Sequence, residues 1–245
     1  MRNFRILQFL GPLPFVLASG LLWGAAVLAE PQPAVAAVKA LAPTSNQTSL
    51  DRTIAKLLSQ YHYRQSKLDD QLSSLIFTTY LDDLDFGRAY FLADDIAGFE
   101  RYRNTLDDAL SKGDLQPAYE IFNVYLRRLE ARNAQVQALL KQDFRFDVDE
   151  TLEVDRKNAP WIKTSAELDE LWRKRLKHEM LTLMLSGKDR TAARDLLSKR
   201  YDNRLRQALQ STSDDVFQLY MNAVAQAFDP HTAYFSPRNT ENFNI

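Results

Sequence analysis

From Ile54 to Phe228 the apolar residues recur at three- and four-residue spacings, in blocks that close on Gly, Pro or Asp. One face of an α-helix repeats every 3.6 residues, so this spacing commits the chain to amphipathic helices joined by their apolar stripes. Ile54, Leu57, Leu58 and Tyr61 make a first face. Leu68, Leu72, Leu75, Ile76 and Tyr80 make a second, ended by the run Asp82 to Gly87. Asp94 or Asp95 caps a third helix carrying Ile96, Phe99, Leu106 and Leu110, and Gly113 stops it. Pro117 suits the first turn of a fourth, whose face passes through Ile121, Phe122, Tyr125, Leu129, Val136 and Leu139. Thr164 to Glu167 reads as a capping box before Leu168, Leu171, Trp172, Leu176, Met180 and Leu183, with Gly187 as the stop. A further helix carries Leu197, Tyr201, Leu205 and Leu209, and a last one starts at Ser213 and carries Val216, Phe217, Tyr220, Val224 and Phe228.

The spacing changes once. Phe144, Phe146 and Val148, then Leu152 and Val154, alternate at period two, and Pro160 disfavours helix at the residue before it. Either a short two-stranded excursion or an extended arm fits. No long period-two blocks alternate with the helices, which argues against a parallel sheet. The fold class is all-α: a multi-helix bundle with one irregular or short β-like excursion near 143–163.

A chain of 245 residues that is 45% hydrophobic and 26% charged can build its core without staples. It has no cysteine, which rules out disulfides, thiolate metal sites and a cysteine nucleophile. A net charge of −1 gives no general case for nucleic acid. The amino terminus carries Arg2 and Arg5 ahead of an apolar run that ends at Val27-Leu28-Ala29. A positive start, an apolar centre and small residues at the end make residues 1–29 a secretory signal peptide. The other reading is an uncleaved membrane anchor, against which Gly11, Pro12 and Pro14 break the run. Residues 30–48, rich in Pro and Ala, read as a flexible leader. Residues 49–228 are then the helical domain.

Residue types that carry chemistry are scattered. Asp82, Asp83 and Asp85 lack the alternation and glycine of a calcium loop and read as a solvated helix end. His178-Glu179 lacks the second histidine of a zinc helix, and His62 has no partner nearby in sequence. The basic run from Arg173 to His178 reads as a solvated face or a partner contact. The sharpest temptation is the end of the chain, where Asp229, His231 and Ser236 supply the residue types of a catalytic triad. Two prolines and a turn in so short a segment argue against that geometry, and no glycine-rich oxyanion loop accompanies it. A helix stop and a rigid turn account for these residues better.

Five segments, taken together, resemble one family. They read YHYRQSKLDD, YLDDLDFGRAYFLADDI, VDRKNAPW, LMLSGK and the run from Arg200 to Asn244, in that order over about 50–244. The chain resembles the amino-terminal helical domain of the tail-specific proteases, the carboxy-terminal processing peptidases of bacterial periplasms. The resemblance implies a periplasmic serine-type endopeptidase in which a PDZ domain and a serine–lysine core follow this region. No residue here matches the catalytic serine or lysine, so no catalytic, cofactor or metal residue is assigned, and the chain by itself is expected to be inactive. Residues 229–245 become a junction toward the PDZ domain, carried by Asp229, Pro230, His231, Tyr234, Ser236, Pro237, Arg238 and Asn239. The implied partners are the PDZ domain and peptidase core, a helical-repeat lipoprotein adaptor, and protein substrates such as cell-wall hydrolases. The alternative is a stand-alone periplasmic helical module that binds an adaptor or a separately encoded protease.

Overall fold

The computed structural model describes residues 40–64, 66–236 and 240. The signal-peptide reading, most of the leader, and Pro237, Arg238 and Asn239 lie outside the described residues. Among those described, eight α-helices account for the architecture and no sheet or barrel forms, so the all-α expectation holds. They are α1 Ser45–Tyr61, α2 Asp70–Asp85, α3 Ala93–Phe99, α4 Leu106–Lys112, α5 Gln116–Leu140, α6 Ser165–Leu185, α7 Arg190–Leu209 and α8 Ser213–Phe228.

The first helix corrects the expectation in two ways. It begins inside the segment read as leader, because Thr44 makes a capping box: its hydroxyl accepts the Gln47 N–H, and the Gln47 side chain accepts the Thr44 N–H at 2.8 Å. Its fully buried residues are Gln47, Asp51 and Ala55; of the expected face, Ile54 and Leu58 pack against the core, while Leu57 and Tyr61 point outward. The proposed third helix is also two helices. Ile96 and Phe99 belong to α3 and Leu106 and Leu110 to α4, with a 3₁₀ turn at Glu100–Tyr102 between them. Asp95 does act at the start of α3, since its carboxylate accepts the Leu92 N–H at 2.9 Å. Gly113 stops α4 as expected, in the left-handed conformation at φ 75°.

Two cores result, and α5 serves both. Leu72, Ile76, Phe77 and Tyr80 of α2 meet Val216, Phe217, Tyr220 and Val224 of α8 in the first. Trp172, Leu176 and Met180 of α6 meet Ala193, Leu197 and Tyr201 of α7 in the second. Along α5, Ala118, Tyr119, Ile121, Phe122 and Leu126 face the first core, and Val136 and Leu140 face the second. At about 1.5 Å rise per residue a 25-residue helix is roughly 37 Å long, enough to span both. Its middle is polar: Arg128 pairs with Asp95 at 2.8 Å and Arg132 with Asp169 at 2.8 Å.

The excursion between α5 and α6 is an irregular arm and not a hairpin. Among the described residues its tie to the sheet-like state is one parallel bridge between Leu92 and Ile162, in which the Ala93 N–H donates to the Ile162 carbonyl at 2.8 Å. Glu150 on this arm takes both Arg173 and Lys177, so the basic run of α6 is answered from within the chain. First Arg173 and then Lys177 hold the Glu150 carboxyl down at about 2. The cap of α6 differs from a full box: Thr164 accepts the Glu167 N–H at 3.2 Å, but Glu167 reaches the N–H of Lys163, one residue before the cap.

Asp85 corrects a further expectation. It is buried, not solvated, and its carboxylate accepts the backbone N–H groups of Ala89, Tyr90 and Phe91 at 2.8–2.9 Å. The turn it closes places positive φ on Arg88, at 45°, although Gly87 stands beside it. Arg88 then reaches the Ala159 carbonyl and lies over the Trp161 ring at 4.9 Å, fastening the arm. Replacing Asp85 by Ala leaves three N–H groups of this turn without their acceptor. We expect Asp85→Ala to lower stability by about 3 kcal/mol or more, read from urea unfolding, with near-ultraviolet circular dichroism following both cores.

Candidate functional site: a clasp at the end of the last helix

Phe228 is buried, and Asp229 leaves helical geometry at φ −158° and ψ 134° while still donating its N–H to the Ala225 carbonyl at 3.0 Å. Pro230 pushes the residue before it out of helix, which fixes the stop. The Asp229 carboxylate then folds the next residues. One oxygen accepts the His231 N–H at 2.8 Å, and the Asp229 carbonyl accepts the Thr232 N–H at 3.0 Å.

The other half comes from the far end of the sequence. Directly after α1, His62 turns extended at ψ 139° and presents His62, Tyr63 and Arg64 to this stop. The Tyr63 phenol donates to the second Asp229 oxygen at 2.5 Å, and the Arg64 guanidinium sits 3.3 Å from the same oxygen. Arg64 also donates to the Phe228 carbonyl at 3.2 Å, a cation at the negative end of α8. The His62 ring lies 3.0 Å from the Thr232 hydroxyl and packs edge-on to Phe228. Tyr63 first, then the His231 N–H and Arg64, hold the Asp229 carboxyl below its ordinary value. The same bond raises the Tyr63 phenol.

After the turn the chain doubles back along α8. The Tyr234 N–H donates to Asn222 at 2.8 Å, and the Ser236 N–H donates to Gln218 at 3.1 Å. Two extended residues advance about 6.6 Å and four helical ones about 6 Å, so acceptors one turn apart match alternate donors on the returning strand. The Tyr234 ring stacks edge-on against Phe217 at 5.5 Å. The structure therefore brings Asp229, Pro230 and His231 to the carboxy-terminal end of α8 and lays Tyr234 and Ser236 back along its side. His62, Tyr63 and Arg64 join them, as do Asn222 and Gln218, and sequence spacing named no role for any of these five. The signal for His62, Tyr63 and Arg64 was present in the YHYR segment, and that for Gln218 and Asn222 in the run from Arg200 to Asn244, both of which carried the resemblance.

This geometry is mechanical. Asp229 bonds the backbone of His231 and not its ring, and the His231 side chain is exposed, so no Asp–His–Ser relay is assembled among the described residues. The His62–Thr232 pair fails as base and nucleophile for a different reason. The His62 Nδ1 accepts the Arg64 N–H at 3.3 Å, which leaves the proton of the neutral ring on Nε2. That nitrogen donates to the Thr232 hydroxyl and cannot take its proton.

Known proteins share this helical domain. Residues 54–238 match the family described as the tail specific protease N-terminal domain, and the chain belongs to that family. A tail-specific protease of Haemophilus influenzae is 37% identical over 188 residues, which is 76% of this chain. The chain spans 27% of that relative's length.

The clasp predicts its own acid response. Asp229 has a lowered pKa in the folded state, so its contribution is present above the unfolded value of about 3.9 and is lost as pH falls below it. Asp229→Asn should remove that part of the acid dependence, while Tyr63→Phe should weaken it. Amide exchange of residues 231–236, compared at pH 6 and pH 3 with α5 as the internal reference, measures both. Equal acid sensitivity in wild type and Asp229→Asn would contradict the assignment.

Proposed function

We propose that this chain supplies the amino-terminal scaffold of a periplasmic tail-specific serine endopeptidase, which degrades or processes proteins from their carboxy termini. The observation that carries the reading is where the family match ends. It stops at residue 238, a few residues past the clasp, where the backbone has been turned and held against α8. A scaffold must hand the chain to its next domain along a defined direction. Ties between the end of α1 and the end of α8 do this more stiffly than a free linker, whose ends wander with the square root of its length.

The PDZ domain and serine–lysine core implied by the family would follow this point and hold the chemistry. Export rests on the residues before Glu30, and Pro237, Arg238 and Asn239 would continue the junction. An adaptor lipoprotein and cell-wall hydrolases as substrates belong to the same reading.

Two measurements test it. The purified chain should not hydrolyse unstructured peptides with apolar carboxy termini. The same chain continued into a PDZ domain and serine–lysine core should cleave them, about tenfold less well when Tyr63→Phe and Asp229→Asn are combined, an effect of misplacement. Hydrolysis by the chain alone that disappears in Ser236→Ala would overturn the proposal. The exported product should begin at Glu30 by mass, and a product retaining residues 1–29 would favour a membrane-anchored form.

A further inference from the structure

The buried face of α1 carries two polar side chains that are treated very differently. Gln47 is satisfied: its amide donates to Asp214 at 2.7 Å, and its oxygen accepts the Ser213 hydroxyl at 2.9 Å. Asp51, one turn further, is 0% exposed, and neither carboxyl oxygen has a hydrogen-bond partner. Its seat is tight, since a Cβ on Gly113 at the end of α4 would come within 2.6 Å of the Thr48 carbonyl of α1.

The surroundings offer this carboxyl little support. Arg52, on α1 itself, is exposed and acts only through space. From the α4–α5 connection comes Asp114, a like charge. Asp107 at the start of α4 keeps one buried oxygen without a partner, and with Asp51 and Asp114 it lies within electrostatic reach of the Tyr220 phenol on α8. Lys112 of α4 is turned to solvent beside Asp108. Tyr80 of α2 stacks on Tyr220 at 5.3 Å, and the Tyr119 hydroxyl of α5 is occupied with Ser213. A charge placed here without donors is strongly disfavoured, and the group responds by keeping its proton.

We propose that Asp51 is a proton-gated latch: as a neutral carboxylic acid it lets α1 seat on α4 and α8, and on ionising it unseats α1. Because His62, Tyr63 and Arg64 follow α1 directly, unseating it also withdraws their half of the clasp. The latch stands whether or not the chain frames a protease; only its consequence for a following domain rests on that reading.

Burial first, and Asp114 second, raise the Asp51 carboxyl to about 8, with Arg52 opposing. The unfolded chain releases this proton near 3.9. Between those values the folded state holds a proton that the unfolded state does not, so stability falls as pH rises across the window and levels off above it.

The test uses the 245-residue chain. Carboxyl carbon NMR of Asp51 reads its ionisation directly, and amide exchange of α1, corrected for intrinsic rates and referenced to α5, reads the seat at pH 6 and pH 9. We expect the carboxyl to titrate near 8 and α1 to lose about tenfold or more of its protection between those conditions. Asp51→Asn should keep α1 protected at both. An Asp51 midpoint in the ordinary carboxylate range overturns the latch, as does protection of wild-type α1 that ignores pH. Restored protection at pH 9 on adding millimolar magnesium or calcium would assign the carboxyl to a cation and overturn it too. Should Asp51→Asn fail to fold, the wild-type titration and exchange decide the matter alone.

Discussion

The carboxylate of Asp85 holds the point where the two cores are joined. It ends α2, is buried, and gathers the N–H groups of Ala89, Tyr90 and Phe91. Burial lifts its pKa, and the three backbone donors offset part of that. What it gathers then divides between the cores. Phe91 enters the first, against Phe99 and Tyr125. Ala89 enters the second, and its carbonyl accepts the Trp172 indole N–H at 2.7 Å. Tyr90 stands between them, touching Tyr125 on one side and Trp172 on the other. A short turn has few contacts of its own, so without its carboxylate its three N–H groups would compete for water and the aromatic bridge would lose its footing.

The second link between the cores is α5, and it joins them through polar contacts at its middle. Arg132 is nearly buried, pairs with Asp169 and lies over the Trp172 ring at 5.8 Å. Next to it Asn133, and one turn further Gln137, both donate to Asp202 of α7. Such contacts add little net stability compared with apolar packing, but each has one satisfied arrangement. Apolar stripes alone would tolerate sliding of α6 and α7 along α5, whereas these bonds are met in a single register. That is how a domain with two apolar cores can still act as one frame.

Most of this frame was legible in the sequence because helices announce themselves by local spacing. The stops at Gly113, Gly187 and Asp229-Pro230, the start at Ser213 and the bounds of α5 follow from periodicity and cap chemistry, which act within a turn or two. What failed depended on distance. Leu57 and Tyr61 look like a core face until the neighbours of α1 are known. What α1 meets is the Ser213–Asp214 start of α8, which draws Gln47 inside, and Asp51 is buried on the same face without a hydrogen-bond partner. Asp85 reads as solvated because its acceptor role depends on a turn whose positive φ falls on Arg88 and not on Gly87. The period-two arm reads as strands because alternation alone cannot say whether a partner strand exists. For the clasp, the residue types at 229–236 showed a rigid turn, but its other half lies 164–170 residues away.

That separation is the physical point of the junction. A turn made only of Asp229, Pro230 and the following backbone would define its own shape but not its orientation on the domain, since each rotatable bond beyond the helix multiplies the available directions. Orientation needs ties to a second element, and α1 supplies them through His62, Tyr63 and Arg64, three consecutive residues whose side chains reach Thr232, Asp229 and Phe228. Asn222 and Gln218 then hold the returning strand to α8 itself. Asp229 builds this turn with its carboxylate, whereas His231 and Ser236 enter it through their backbone N–H groups, and the ring and hydroxyl that meet are those of His62 and Thr232. The residue types of a hydrolase have been used to set the direction of a chain.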